Sequence, residues 1–164
     1  MLLIVWHSRT GAAKSLAHAA FEGAAAQDDA ARPSAVILPA AEVTPERFLA
    51  AAGYLFVCPE NLGSMTGAMK EMFDCCYYPL LGRIEGRAFA TIVTAGSDGH
   101  GAQAQVERIV TGWRLRRVAE PWIVNLSAQT PEAILASKEV RAAELAKARD
   151  LGYSLAEGLA LGIF

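Results

Sequence analysis

Three short stretches carry residue types and spacings that could do chemistry. The first is Ser8-Arg9-Thr10-Gly11-Ala12-Ala13, directly after the apolar run Leu2–Trp6. A strand that empties into a hydroxyl-rich loop with a helix behind it makes an anion site. The leading N–H groups of a helix have no intrahelical partner, and the helix dipole favours negative charge there. Ser8 and Thr10 add hydroxyls, and Arg9 adds a positive charge. Two hydroxyls and an arginine exceed what a plain helix cap at Thr10 needs. The stretch therefore points to a phosphate-bearing ligand. Two familiar phosphate motifs fail on it. A nucleoside-triphosphate loop requires G-x-x-x-x-G-K-[ST]; Lys14-Ser15 follows Ala13, and the upstream glycine is missing. A dinucleotide fingerprint requires G-x-G-x-x-G, and only Gly11 is present. What remains is a loop wrapping one phosphate.

The second stretch runs from Pro59 through Glu60, Asn61, Leu62, Gly63, Ser64, Met65 and Thr66 to Gly67. It is long for a strand-to-helix connection. Asn61 and Ser64 could meet polar ring edges, while Leu62 and Met65 could cover a ring face. As an ordinary surface loop it would instead use Ser64 or Thr66 to cap the next helix. The third stretch is Thr94-Ala95-Gly96-Ser97-Asp98-Gly99-His100-Gly101. Its three glycines admit close approach of a ligand to the backbone. Gly99 to Ala104 spells G-x-G-x-x-A. It does not read as a dinucleotide site, because it follows the fourth strand and Glu120 stands at the wrong end of the next.

Other constellations carry less. His7, His18 and His100 are scattered, with no carboxylate or cysteine at ligand spacing, so no metal site is expected. Ser8 lacks the Gly-x-Ser-x-Gly setting of a hydrolase nucleophile. No catalytic side chain is assigned. Cys58 reads as a small buried residue, and adjacent Cys75-Cys76 suit a structural disulfide poorly. A net charge of -2 argues against a nucleic-acid partner bound through a basic face. No apolar run approaches a membrane span, and the first residues do not read as a secretory signal, so a cytoplasmic location is expected.

The elements that must position these stretches alternate along the chain. Apolar strand-like runs cover Leu2–Trp6, Ala35–Leu38, Gly53–Cys58, Ala88–Thr94 and Pro121–Val124, with Pro59 expected to stop the third. Helical periodicity covers Gly11–Ala26, Pro45–Ala51, Gly67–Cys76, Gly101–Trp113 and one long tail from Pro131 to about Leu161. The alanine-rich bias reads as helix propensity alone. Near-continuous apolar strands with interleaved helices imply an α/β fold: a doubly wound, five-stranded parallel sheet with helices on both faces. At 164 residues the chain is most simply one domain, residues 1–164. Ligands bind such sheets at the carboxyl ends of the strands, where all three stretches lie.

These loops, in this order, resemble the flavodoxin-like superfamily, with strand order 2-1-3-4-5. The closer likeness is to its NAD(P)H-dependent FMN reductase and quinone reductase branch. The chief likeness is Pro59-Glu60-Asn61, then Gly63-Ser64-Met65, Gly67, Lys70 and Phe73-Asp74. It is similar to that branch's run of Pro, a short polar turn, Gly-Ser-[Met or Ile], small residues, Lys and Phe-Asp. The resemblance spans Leu2 to Val124. It implies one FMN, with its phosphate on Ser8, Arg9, Thr10, Gly11, Ala12 and Ala13. The isoalloxazine would lie between Pro59–Met65 and Thr94–Gly99. Flavodoxins usually carry a hydroxyl where this chain has Ala13; losing that bond, at about 1 kcal/mol or somewhat more, would weaken FMN without abolishing binding, and the charge of Arg9 could compensate.

The resemblance implies that NADH or NADPH reduces the flavin and that a quinone or similar small acceptor collects the electrons. Backbone N–H groups of Gly96, Ser97 and Gly99 would stabilise the reduced ring. The alternative is an electron-transfer flavodoxin with no small-molecule substrate. Such carriers usually show a strongly acidic face and an aromatic residue beside the flavin. The mild net charge, and the lack of tyrosine or tryptophan in the second and third stretches, favour the reductase. A flavin-free binding domain is a third reading, supported by Ala13 alone. Homologous reductases commonly pair subunits, so a homodimer or higher homo-oligomer is the expected assembly.

Overall fold

A computed structural model describes residues 1–26 and 34–164. Leu2–Trp6 (β1), Ala35–Pro39 (β2), Gly53–Asn61 (β3) and Ala88–Ala95 (β5) pair in parallel in the order β2-β1-β3-β5. The outer position beside β5 is shared by two short strands. Arg116–Arg117 (β6) pairs with Ala88 and Phe89, and Trp122–Asn125 (β7) pairs with Ile92 to Ala95. The expected order 2-1-3-4-5 is therefore present, with its fifth strand in two pieces. Among the described residues, no helix is long and apolar enough to cross a membrane.

Burial on both faces explains the apolar runs. On one face Leu3, Val5 and Phe56 meet Phe48 of Pro45–Ala50 (α2), Met69 and Phe73 of Gly67–Leu80 (α3), and Val106 and Val110 of His100–Gly112 (α4). Trp113 closes this layer. Its ring lies 5.2 Å from Phe48 and 5.5 Å from Phe73, and its Nε1–H donates to the Tyr77 carbonyl at 3.0 Å. On the other face Leu2, Ile4, Leu55 and Val57 meet Leu16, Ala17 and Ala20 of Ala12–Ala25 (α1) and Leu155 and Ala156 of Ala142–Ala160 (α6).

The small residues of α1 and α6 do more than favour helix. A Cβ on Gly152 would stand 1.8 Å from the Ala20 carbonyl oxygen, and one on Gly23 would stand 2.0 Å from that of Arg149. The two backbones touch, and only glycine permits it.

Three expectations need correction. Pro59 does not stop β3, which continues to Asn61. The chain turns at Leu62 (φ 53°) and Gly63 (φ 74°) and returns antiparallel as Ser64–Met65 (β4). Proline's φ suits an extended strand, and all it removes is one N–H at the strand's end. Helix α3 does not end at Cys76 but runs one turn further, with Pro79 in its last turn. The tail is not one helix. It forms Pro131–Leu135 (α5) and α6, separated by residues 136–141. An unbroken helix would place Ile134, Lys138, Arg141, Leu145 and Ala148 on one face, driving two cations into a buried stripe.

Gly152→Ala is expected to destabilise the protein by about 2 kcal/mol or more through overpacking. That corresponds to a thermal midpoint lowered by roughly 4–8 °C in calorimetry. An unchanged midpoint would show that α1 and α6 separate at no cost.

Candidate flavin site

A cleft of about 360 Å³ opens at the carboxyl ends of β1, β3 and β5. That lies within the roughly 300–1,000 Å³ of small-molecule sites. Its walls bring together Arg9 and Thr10 from the first loop, Pro59 to Gly63 from the second, and Thr94 to Ser97 from the third. Ser8, Gly11, Ala12 and Ala13 belong to the same first loop and helix start but lie outside the cleft wall, as do Ser64, Met65, Asp98 and Gly99.

The first loop ends at Gly11, whose φ of 101° lies outside the range other residues favour. Gly11, not Thr10, is the N-cap of α1, and no side chain caps that helix. The Ser8 hydroxyl oxygen accepts the Gly11 N–H at 3.1 Å, which leaves its own proton free to donate. Ser15 is the first residue whose N–H is taken up by the helix, bonding the Gly11 carbonyl at 2.9 Å. Among the described residues the N–H groups of Ala12, Ala13 and Lys14 have no acceptor. His7 lies behind the loop, with Nδ1 buried and unpaired. Burial, then the nearby Arg9 guanidinium, lowers its pKa, so the ring stays neutral near pH 7.

The second and third loops are joined by one side chain. Glu60 accepts the Gly99 N–H on Oε1 at 2.9 Å and the Ala102 N–H on Oε2 at 3.1 Å. This carboxylate thereby caps α4. Packing at the junction is close: a Cβ on Gly101 would lie 2.1 Å from the Gly63 carbonyl oxygen. The Gly99 N–H is therefore occupied and cannot stabilise a reduced ring. Those of Gly96 and Ser97 have no acceptor among the described residues.

Met65 cannot cover a ring. It is 3% exposed within the α3–α4 layer, and its N–H bonds Gln105 Oε1 at 2.9 Å. Strand alternation after the two-residue turn sends its side chain inward. The Ser64 hydroxyl donates to the Met65 carbonyl at 3.0 Å and does not cap α3; neither does Thr66, although it occupies the N-cap position. Asp98 pairs with His100 at 2.6 Å, both exposed. Burial pushes the Cys58 thiol up to about 12 and that of Cys76 up to about 11, so both stay protonated at neutral pH.

A fourth wall was missed from sequence. Leu126, Ala128, Ile134, Leu135 and Lys138 also line the cleft. The available signal was the pair Lys138 and Arg141, at helical spacing within an otherwise apolar stripe.

Residues 32–127 match the family described as NADPH-dependent FMN reductase. The chain belongs to that family. Within the wider flavodoxin-like superfamily, a flavodoxin from Aquifex aeolicus (strain VF5) is 28% identical over 110 residues. That match covers 67% of this chain but only 58% of the relative's length. Two solved structures share the fold. A flavodoxin from the domain Archaea has a TM-score of 0.75 at 15% identity, covering 97% of this chain and 98% of that one. The flavodoxin, WrbA-like protein from Agrobacterium tumefaciens has a TM-score of 0.68 at 19% identity, covering 98% and 97%.

Removing the Glu60 carboxylate leaves two N–H groups at the start of α4 without their acceptor. Glu60→Ala is expected to cost about 2 kcal/mol. Amide exchange should quicken at Gly99 and Ala102 before it does in β5. Unaltered exchange there would show that the carboxylate is not holding the two loops together.

Proposed function

We propose that the protein is an FMN-dependent oxidoreductase. It takes electrons from NADH or NADPH and delivers them to a quinone or similar small acceptor. Family membership supports FMN chemistry. The observation that carries the reading is the meeting of three strand-end loops around one cleft, with the uncapped start of α1 directly behind the first of them. The residues fit the cofactor. Free N–H groups of Ala12 and Ala13, the hydroxyls of Ser8 and Thr10, the Gly11 turn and the Arg9 guanidinium would hold its phosphate. Pro59–Gly63 and Thr94–Ser97 would flank its ring.

FMN, when bound, supplies hydride acceptance and electron delivery. The chain's part is positioning and electrostatics. Glu60 fixes the second loop against the third, and the Gly96 and Ser97 N–H groups, open among the described residues, would be available to stabilise negative charge on a bound ring. Among the described residues no imidazole lines the cleft, and the Glu60 carboxylate and Lys138 ammonium there are engaged by backbone groups, so no side-chain acid or base is assigned. A second reading, an electron-carrying flavodoxin, is favoured by the Aquifex relative.

Titration with FMN is expected to show saturable fluorescence quenching at micromolar concentration, and its absence would sink the proposal. Thr10→Ala should weaken FMN about tenfold while hardly changing riboflavin, which lacks the phosphate. Equal losses for both would show that the loop does not hold phosphate. Stopped-flow absorbance then separates the two readings. NADH or NADPH should bleach the bound flavin, and a small quinone should restore it. A flavin that stays oxidised with both nicotinamides, yet accepts single electrons from a reductase, supports the carrier.

A further inference from the structure

The family match ends at residue 127, yet Ala128, Ile134, Leu135 and Lys138 line the cleft. We infer that residues 128–138 form a strap over the fourth side of the flavin cleft. Ile134 and Leu135 cover the isoalloxazine ring, and Lys138 holds them in place; this rests on the FMN reading above.

Both ends of the strap are pinned to cofactor loops. The Ala128 N–H donates to the Gly96 carbonyl at 2.9 Å. A Cβ on Gly96 would stand 2.5 Å from the Ala128 carbonyl oxygen, so the two backbones are in contact. At the other end the Lys138 N–H donates to the Thr10 carbonyl at 2.8 Å. The strap thus runs from the third loop to the first.

Between the pins lies α5, five residues long. A helix that short does not persist in water without support. It is held at both ends. The Thr130 hydroxyl oxygen accepts the Ala133 N–H at 3.2 Å. The Lys138 ammonium donates to the carbonyls of Ala133, of Ile134 at 3.2 Å and of Ala136 at 2.6 Å. All three ammonium protons therefore have acceptors within α5 and just after it. Lys138 lines the cleft as the clasp of the strap and has no proton left for a phosphate.

The helix so held presents apolar surface that the core does not use. Ile134 is 51% exposed and Leu135 78% exposed, and both line the cleft. A flavin ring needs apolar cover, and the other candidates fall short. No aromatic side chain lines the cleft, and Met65 is in the core. Leu62, 97% exposed at the hairpin tip, offers cover from the second loop. Pro59, Ala95 and Leu126 add smaller apolar patches, and the strap supplies two further large aliphatic side chains. A planar, uncharged ring face is the occupant that matches two exposed aliphatic side chains anchored between the phosphate loop and the ring loop.

The test is binding of FMN and of riboflavin, by fluorescence quenching, to three variants and the unaltered protein. Circular dichroism and the thermal midpoint establish that each folds. Replacing Ile134→Ser and Leu135→Ser together changes exposed side chains. It should weaken both ligands by about ten- to thirtyfold and by the same factor, since both carry the ring. Lys138→Met should weaken both about fivefold, and Lys138→Arg, which keeps donors for the same carbonyls, should recover most of that. Unaltered affinity in the double variant overturns the inference. So does a loss confined to FMN, which would place the strap's role at the phosphate. If the unaltered protein binds neither ligand, the functional reading fails and takes the strap with it.

Discussion

A parallel sheet buried on both faces has nowhere to present polar groups except its strand ends. Leu2, Leu3, Ile4 and Val5 are all buried, as are Tyr54 to Cys58 on the central strand. The hydroxyls, carboxylate and open N–H groups of the three loops therefore gather at one rim. The helices follow from the same constraint. They must cover both faces, so each starts near the carboxyl end of a strand and points its positive end at that rim. The site exists because the core leaves no other place for it.

Two of these helices, α1 and α4, begin in the loops that meet at the cleft, and they are treated differently. The start of α4 already receives a carboxylate: Glu60 takes the N–H groups of Gly99 and Ala102. The start of α1 receives none, and its leading N–H groups stay open. An anionic ligand would therefore be drawn to α1 rather than to α4. This gives the physical reason why the G-x-G-x-x-A at Gly99–Ala104 is no dinucleotide site. Its helix dipole is satisfied from within the protein, and its glycines serve packing against Ile123 and Gly63.

Much of this was legible in sequence because burial imposes pattern. The apolar runs marked the central strands, and their order along the chain implied the sheet. The three loops were found because Ser8-Arg9-Thr10-Gly11 and the glycines of the third loop are unusual for plain connections. What sequence hid was long-range. Nothing local tells that Glu60 reaches residues about 40 positions away, or that Met65 turns inward after a turn whose Leu62 takes positive φ. The short strands β4 and β6 are two residues each, too brief for any periodicity. The break in the tail contains neither glycine nor proline. A continuous helix would carry Lys138 and Arg141 into the apolar stripe, a conflict that shows only when the helical face is counted through.

The charge around the first loop follows from how these contacts are shared out. Of the cations near the first loop, Lys138 is committed to carbonyls of the strap, and the Lys14 ammonium lies 5.8 Å from the centre of the Trp6 ring. Arg9 is exposed and lines the cleft. A phosphate monoester would thus meet one guanidinium and several dipoles, too little positive charge to balance it by ion pairing. Recognition then depends on oriented N–H groups at the end of α1, which are strong where water is excluded and nearly insensitive to distant salt. In that setting Ala13 matters less than its missing hydroxyl suggests. A side-chain donor is lost there, but the backbone N–H of the same residue stays free, and the helix aims it at the loop.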